Sequence, residues 1–108
     1  MATRPLSEIA KTIRSKNAGV DKITFDVIFV ERADYDLVRR SGVLSPAAVC
    51  RIFGIAASRI TDYVEFGPAL AIKFTILRSV TSGSPGDADI FGAQQYAPLL
   101  DLMVPDDA

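Results

Sequence analysis

The chain has 108 residues, twelve basic against thirteen acidic, with a net charge of −1 and a pI near 5.3. That length predicts one domain spanning residues 1–108 with a single modest core, and the missing basic surplus argues against a nucleic-acid partner. No apolar run approaches the ~20 residues of a membrane span, and the start MATRPLSEIAKTIRSK carries no signal-peptide apolar core, so a cytoplasmic protein with no membrane partner is expected.

The chain contains no histidine and one cysteine, Cys50. This removes the commonest general base, the commonest metal ligand and any Ser-His or Cys-His nucleophile pair. A single cysteine permits no internal disulfide, and without histidine a zinc site built by this chain alone is close to excluded, leaving any metal to be a hard ion held by carboxylates. Neither a metal nor a cofactor is expected. Any proton chemistry falls to Lys, Asp, Glu or Tyr, which leans the reading away from a stand-alone catalyst.

Leu6, Ile9, Ala10 and Ile13 recur at helical spacing and predict a short first helix. Ser7 or Arg4-Pro5 would start it, and Asn17 and Gly19 in SKNAG would end it. KITFDVIFVE (22–31) is a strand, with Ile23, Phe25, Val27 and Phe29 on one face and Thr24, Asp26, Ile28 and Val30 on the other. ADYDLVRRSG (33–42) reads as a helix with Asp34 as N-cap, Arg39 and Arg40 at its C-terminal dipole end and Gly42 as terminator. SPAAVCRIFG (45–54) repeats the punctuation with Ser45 as N-cap, Pro46 at the first helical position and Gly54 past the end. Cys50 in it reads as a small core residue.

RITDYVEFG (59–67) is a second strand and ALAIKFTILRSV (69–80) a third. The short break between them predicts antiparallel neighbours. Leu70, Ile72, Phe74 and Ile76 would face the core, and Ala71, Lys73, Thr75 and Leu77 the other side. VTSGSPGDADIFGAQQYAPLL (80–100) shows neither helical nor strand period, and PLLDLMVP (98–105) alternates as a last strand. The fold class expected is α+β: a ferredoxin-like βαββαβ two-layer sandwich with a small, mostly antiparallel sheet and helices on one face. The Gly/Pro-rich irregular segment near the C-terminus would replace or shorten the second helix. The opposite sheet face is half apolar, so a cover from the C-terminal segment or from another protein is expected.

Four groups of residues can carry chemistry. Ser82, Gly83, Ser84, Gly86 and Asp87 lie in SGSPGD, whose backbone N–H groups can form an anion nest or simply close a turn. Asp87 and Asp89 are two carboxylates, but in a turn such a pair is more often solvated than metal-bound. Gln94 and Gln95 sit among apolar neighbours, where they can grip a carboxylate or satisfy local backbone. Arg14, Lys16 and Asn17 can face an anion, although helix-end residues of these types also have a purely structural role. Asp26 and Lys73 lie mid-strand on the mixed face and would meet as a cross-strand ion pair if their strands are neighbours.

IRSKNAG, TFDVIF, SGVLSP, GPALAIKFTI and SGSPGDADIFGAQQYAPLL together resemble domain-of-unknown-function family 4387. The resemblance runs from Leu6 to about Leu102. Its members are small proteins found beside, or fused to, acyclic terpene utilisation (AtuA) type proteins. The resemblance implies a small subunit docking on an AtuA-type protein in the catabolism of carboxylic acids or their coenzyme A thioesters. It places Arg14, Lys16, Asn17, Asp26, Lys73, Ser82, Gly83, Ser84, Gly86, Asp87, Gln94 and Gln95 on the family's motif positions without assigning their roles.

The leading expectation is a subunit that helps complete a partner's site for a carboxylic acid or acyl-CoA; a homo-oligomer is compatible with it. One competing expectation is a stand-alone lyase or hydratase. There Lys16 or Lys73 would be the base, Asp26 would tune it, and Arg14 with the SGSPGD amides would hold the carboxylate. The other is an organic-acid-binding module.

Overall fold

The structure is a computed structural model, and it describes residues 3–19, 21–78 and 97–105. In chain order the elements are β1 (Thr3–Pro5), α1 (Leu6–Ile9), β2 (Thr12–Asn17), β3 (Lys22–Ile28), α2 (Arg32–Ser41) and α3 (Pro46–Phe53). A 3-10 turn (Ala57–Arg59), β4 (Ile60–Phe66), a second 3-10 turn (Gly67–Ala69), β5 (Ala71–Leu77), α4 (Ala97–Leu100) and β6 (Met103–Pro105) complete them. The result is a small α+β domain with antiparallel sheets and a few helices.

The main sheet has four strands in the order β2-β3-β5-β4, every neighbouring pair antiparallel. β1 and β6 form a separate antiparallel pair, Arg4 opposite Val104, and the Leu6 N–H donates to the Leu102 carbonyl at 2.7 Å beside it. The last strand read from PLLDLMVP is thus confined to Met103–Pro105, after a single helical turn.

The first helix expected from the sequence is corrected. Only Leu6–Ile9 turns helically; the chain is already extended at Ala10 and becomes β2 from Thr12. A lone short helix is marginal, whereas extending the chain lets six residues, Thr12 to Asn17, pair with Ile28 to Ile23. The Leu6/Ile9/Ala10/Ile13 spacing therefore mixes one helical turn with a strand. Asn17 and Gly19 still mark a reversal, but it is a hairpin, bridged by the Ala18 N–H and the Lys22 carbonyl at 2.9 Å. With a strand in that place, the order becomes hairpin, two helices, hairpin. From β3 onward the described elements still run strand, two helices, two strands, a helical turn and a strand, but β6 pairs with β1 outside the main sheet and β2 takes a place within it, so the fold shown is α+β with antiparallel sheets.

α2 begins one turn earlier than Asp34 would set it: Glu31 is the cap residue and Asp34 sits inside the first turn, where its charge still opposes the helix dipole favourably. α3 is punctuated as read. The Ser45 hydroxyl accepts from the Ala48 N–H at 3.2 Å, Pro46 opens the helix, and Gly54 closes it at φ 65°. Gly42 closes α2 at φ 76°, a left-handed conformation that costs glycine little.

The core lies between one face of the main sheet and the helices. Ile23, Phe25, Val27 and Phe29 meet Ile72, Phe74 and Ile76 there, with Leu37, Val38 and Val49 of α2 and α3 above them. Phe25 and Phe74, direct partners across β3 and β5, stack with ring centroids 4.8 Å apart, and Phe53 of α3 tilts onto Phe25 at 5.1 Å. Both sheet faces were assigned to the correct side by the period-two reading of KITFDVIF and ALAIKFTIL. Cys50 is half-buried.

Candidate functional site

Strand register decides what the outer face of the main sheet brings together. Arg14 pairs with Asp26, Asp26 with Lys73, and Lys73 with Val64, a single row across β2, β3, β5 and β4. On one side lies a row of Thr12, Ile28, Ala71 and Phe66; on the other a row of Lys16, Thr24, Thr75 and Asp62. Because side chains alternate along a strand, these three rows share one face.

Asp26 is the centre of this surface. It is 2 % exposed, and its Oδ2 accepts from the Arg14 Nε at 3.0 Å. Its Oδ1 faces the Lys73 Nζ at 3.7 Å, too far for a hydrogen bond, so that contact is an attraction between charges. Among the described residues Oδ1 has no hydrogen-bond partner. The two cations are different: their side chains are 57 % and 49 % exposed. One buried anion thus holds two cations whose outer donors remain in reach of another molecule.

Lys16 stands two residues from Arg14 on the same face, opposite Thr24 and exposed. Next to it the Thr24 and Thr75 hydroxyls bond to each other across the strands at 3.0 Å. Towards the other end the surface turns apolar, with Val64 and Phe66 of β4 left 38 % and 47 % exposed. Asn17 does not join this face. It lies at the end of β2 on the helix side, where its Oδ1 accepts from the Arg78 Nη1 at 2.9 Å. Ser82, Gly83, Ser84, Gly86, Asp87, Gln94 and Gln95 lie outside the described residues.

The pairing of Asp26 with Lys73 was legible as a conditional: both are mid-strand on the mixed face, and β3 and β5 are neighbours. Arg14 was misplaced at a helix end, and its approach to Asp26 follows from β2 being a strand. Val64 and Phe66 were not singled out, because alternation says which residues share a face but not which are covered. Another missed feature is on β4. Tyr63 donates weakly to Glu65 Oε2 at 3.4 Å, and its phenol is pushed up to about 12, mainly by burial and then by the Glu65 charge.

Among the described residues no three His, Cys, Asp or Glu side chains are grouped so as to hold a metal ion. None of the described helices is long and apolar enough to cross a membrane.

No curated protein and no solved structure matches the chain. The family model described as Domain of unknown function (DUF4387) matches residues 6–103. That span contains β2, β3 and β5, the three strands that carry the charged row, and the chain belongs to the DUF4387 family.

Proposed function

We propose that this protein is a small subunit that docks on a larger AtuA-type protein through the outer face of its main sheet, helping to form a site for a carboxylic acid or its CoA thioester. The observation that carries the reading is the juxtaposition on one face of exposed apolar side chains, Val64 and Phe66, with two half-exposed cations anchored on the buried Asp26. Apolar area gives a protein interface its affinity and charge gives it register. The neighbouring edge is poorly suited to that role. β4 carries a bulge between Ile60 and Asp62, an irregularity that discourages strand-to-strand addition. The resemblance of IRSKNAG and SGSPGDADIFGAQQYAPLL supplies the partner's type.

Co-expression with the AtuA-type protein, followed by size-exclusion chromatography and native mass measurement, tests this reading. A fixed-stoichiometry complex is expected, and Phe66→Glu should abolish it while leaving the far-UV spectrum unchanged. Separate elution of the two wild-type proteins would defeat it.

A second reading, a stand-alone lyase or hydratase, draws on the Lys73 amine standing beside Asp26. In it Lys73 would take a proton and Arg14 would hold the carboxylate. It requires turnover by the isolated chain that Lys73→Met removes.

A further inference from the structure

We infer that the Arg14–Asp26–Lys73 row is a seat for the carboxylate of an aliphatic monocarboxylic acid, with the acid's chain lying along the strands towards Ile28 and Phe66. This deepens the proposed function, since it rests on the outer face being the working surface, and it names the ligand's class and direction.

The first argument is the burial of Asp26. A carboxylate 2 % exposed on a sheet is a costly choice where an apolar side chain would serve the fold as well. What the carboxylate achieves is placement: it draws Arg14 from one neighbouring strand and Lys73 from the other towards one point. The Arg14 hydrogen bond to Asp26 uses Nε, so the two terminal nitrogens of the guanidinium keep their donors. Lys73, at 3.7 Å, is held by charge and keeps all three of its donors. Paired donors on a planar guanidinium match the two oxygens of a carboxylate.

The second argument is charge balance. Within the row, two cations over one carboxylate leave a surplus of one positive charge, and Lys16 adds a further cation about 7 Å along β2, so the seat attracts an anion. Asp26 beneath them repels excess negative charge and so favours a monoanion over a dianion.

The third argument is asymmetry. From the charged row the surface is apolar in one direction, with the half-buried Ile28 and the exposed Phe66 about 7 Å along the strands, two residues of strand rise. In the other direction it is polar, with the Thr24 and Thr75 hydroxyls hydrogen-bonded to each other. An acid seated by its carboxylate finds cover for an aliphatic chain on one side only. Each methylene fully covered would raise affinity up to about fourfold, and an open sheet face supplies part of that.

The test is an NMR titration of the full isotope-labelled chain with acetate, hexanoate, succinate and inorganic phosphate. Hexanoate should perturb amides of β2, β3 and β5 around the charged row and bind about tenfold tighter than acetate. Succinate and phosphate should bind no tighter than acetate. Arg14→Met and Lys73→Met should each weaken hexanoate about tenfold, while Lys11→Met, at an exposed position outside the row, should not.

Asp26→Asn separates placement from simple attraction. If Asp26 positions the cations, affinity falls although the local charge becomes more positive; a rise would overturn its positioning role. Absence of shifts at the charged row up to the solubility limit of hexanoate would overturn the site, and phosphate binding tighter than hexanoate would overturn the ligand class. The two readings fail separately. A chain that co-elutes with the AtuA-type protein but ignores hexanoate keeps the docking reading and loses this one. A chain that binds hexanoate and elutes alone does the reverse.

Discussion

At the scale of single residues, Asp26 and Tyr63 show opposite ways of holding a polar group inside this small domain. Asp26 sits between two cations: removing both leaves a buried carboxylate with nothing beside it to offset its charge, whereas removing Asp26 leaves two side chains that are already half in water. The double variant Arg14→Met/Lys73→Met should therefore lose about 2–3 kcal/mol, less than a fully buried pair would because both cations are partly solvated. Asp26→Val, a good strand former, should lose markedly less. Urea denaturation of the two variants checks the ordering, and equal losses would mean that burial of Asp26 does not govern the row.

Tyr63 is held neutral. Its phenol, ordinarily at 10, is pushed up to about 12, first by burial and then by Glu65. Between those values the unfolded chain has released the proton and the folded chain retains it, so stability falls as pH rises through that window. The contribution is whole below 10 and gone above the folded value. Tyrosine absorbance followed on raising the pH should contain a late phenol that disappears in Tyr63→Phe. The stability of the wild type relative to that variant should decline from pH 10 to 12.

At the scale of elements, caps and strand pairing divide the labour. α3 is only eight residues long, too short to persist by propensity alone, so its ends matter. Ser45→Ala removes the acceptor for the Ala48 N–H and should cost about 1 kcal/mol. Gly54→Ala forces a side chain into a left-handed conformation, φ 65°, and should cost about 1–2 kcal/mol. Thermal denaturation measures both, and their sum should be additive to within about 0.5 kcal/mol since the two caps share no partner. β2 stands by a different principle. Its residues have no stripe of their own long enough to make a helix, and at the edge of the sheet its inward-pointing backbone groups pair with β3 rather than closing local turns. The tight reversal into β5 is achieved at some strain, with Leu70 at φ 50°, a conformation tolerated because Leu70 packs against the core.

At the scale of the whole molecule, the helices close one face of the main sheet and leave Val64, Phe66, Arg14 and Lys73 accessible on the other. A partner docking there would meet apolar and charged contributions with different responses to salt. Raising the ionic strength should weaken the proposed complex with the AtuA-type protein through screening of Arg14 and Lys73. The Arg14→Met/Lys73→Met variant should bind more weakly but lose its salt dependence, and Val64→Glu should bind more weakly at every salt concentration. Isothermal titration at three ionic strengths distinguishes the two. A wild-type affinity indifferent to salt would remove the charged row from the interface.

What residue order alone determined were properties set by near neighbours. The period-two pattern of KITFDVIF sorts the core face from the outer face, Ser45-Pro46 and Gly54 bracket a helix, and Gly67-Pro68 turns one strand back on the next. Each depends on side-chain direction or backbone freedom within a few residues, so each is readable without knowing the fold. The absence of histidine likewise limits the chemistry before any coordinates are known. The tertiary structure decided whether the segment from Thr12 to Asn17 would coil or extend, because that choice depends on β3 offering a partner edge. It also decided where Arg14 would lie, since only a strand beside β3 brings its guanidinium within 3.0 Å of Asp26. The charged row is made of positions 14, 26 and 73, residues far apart in sequence and joined by register, and register is a property of paired strands rather than of any one of them.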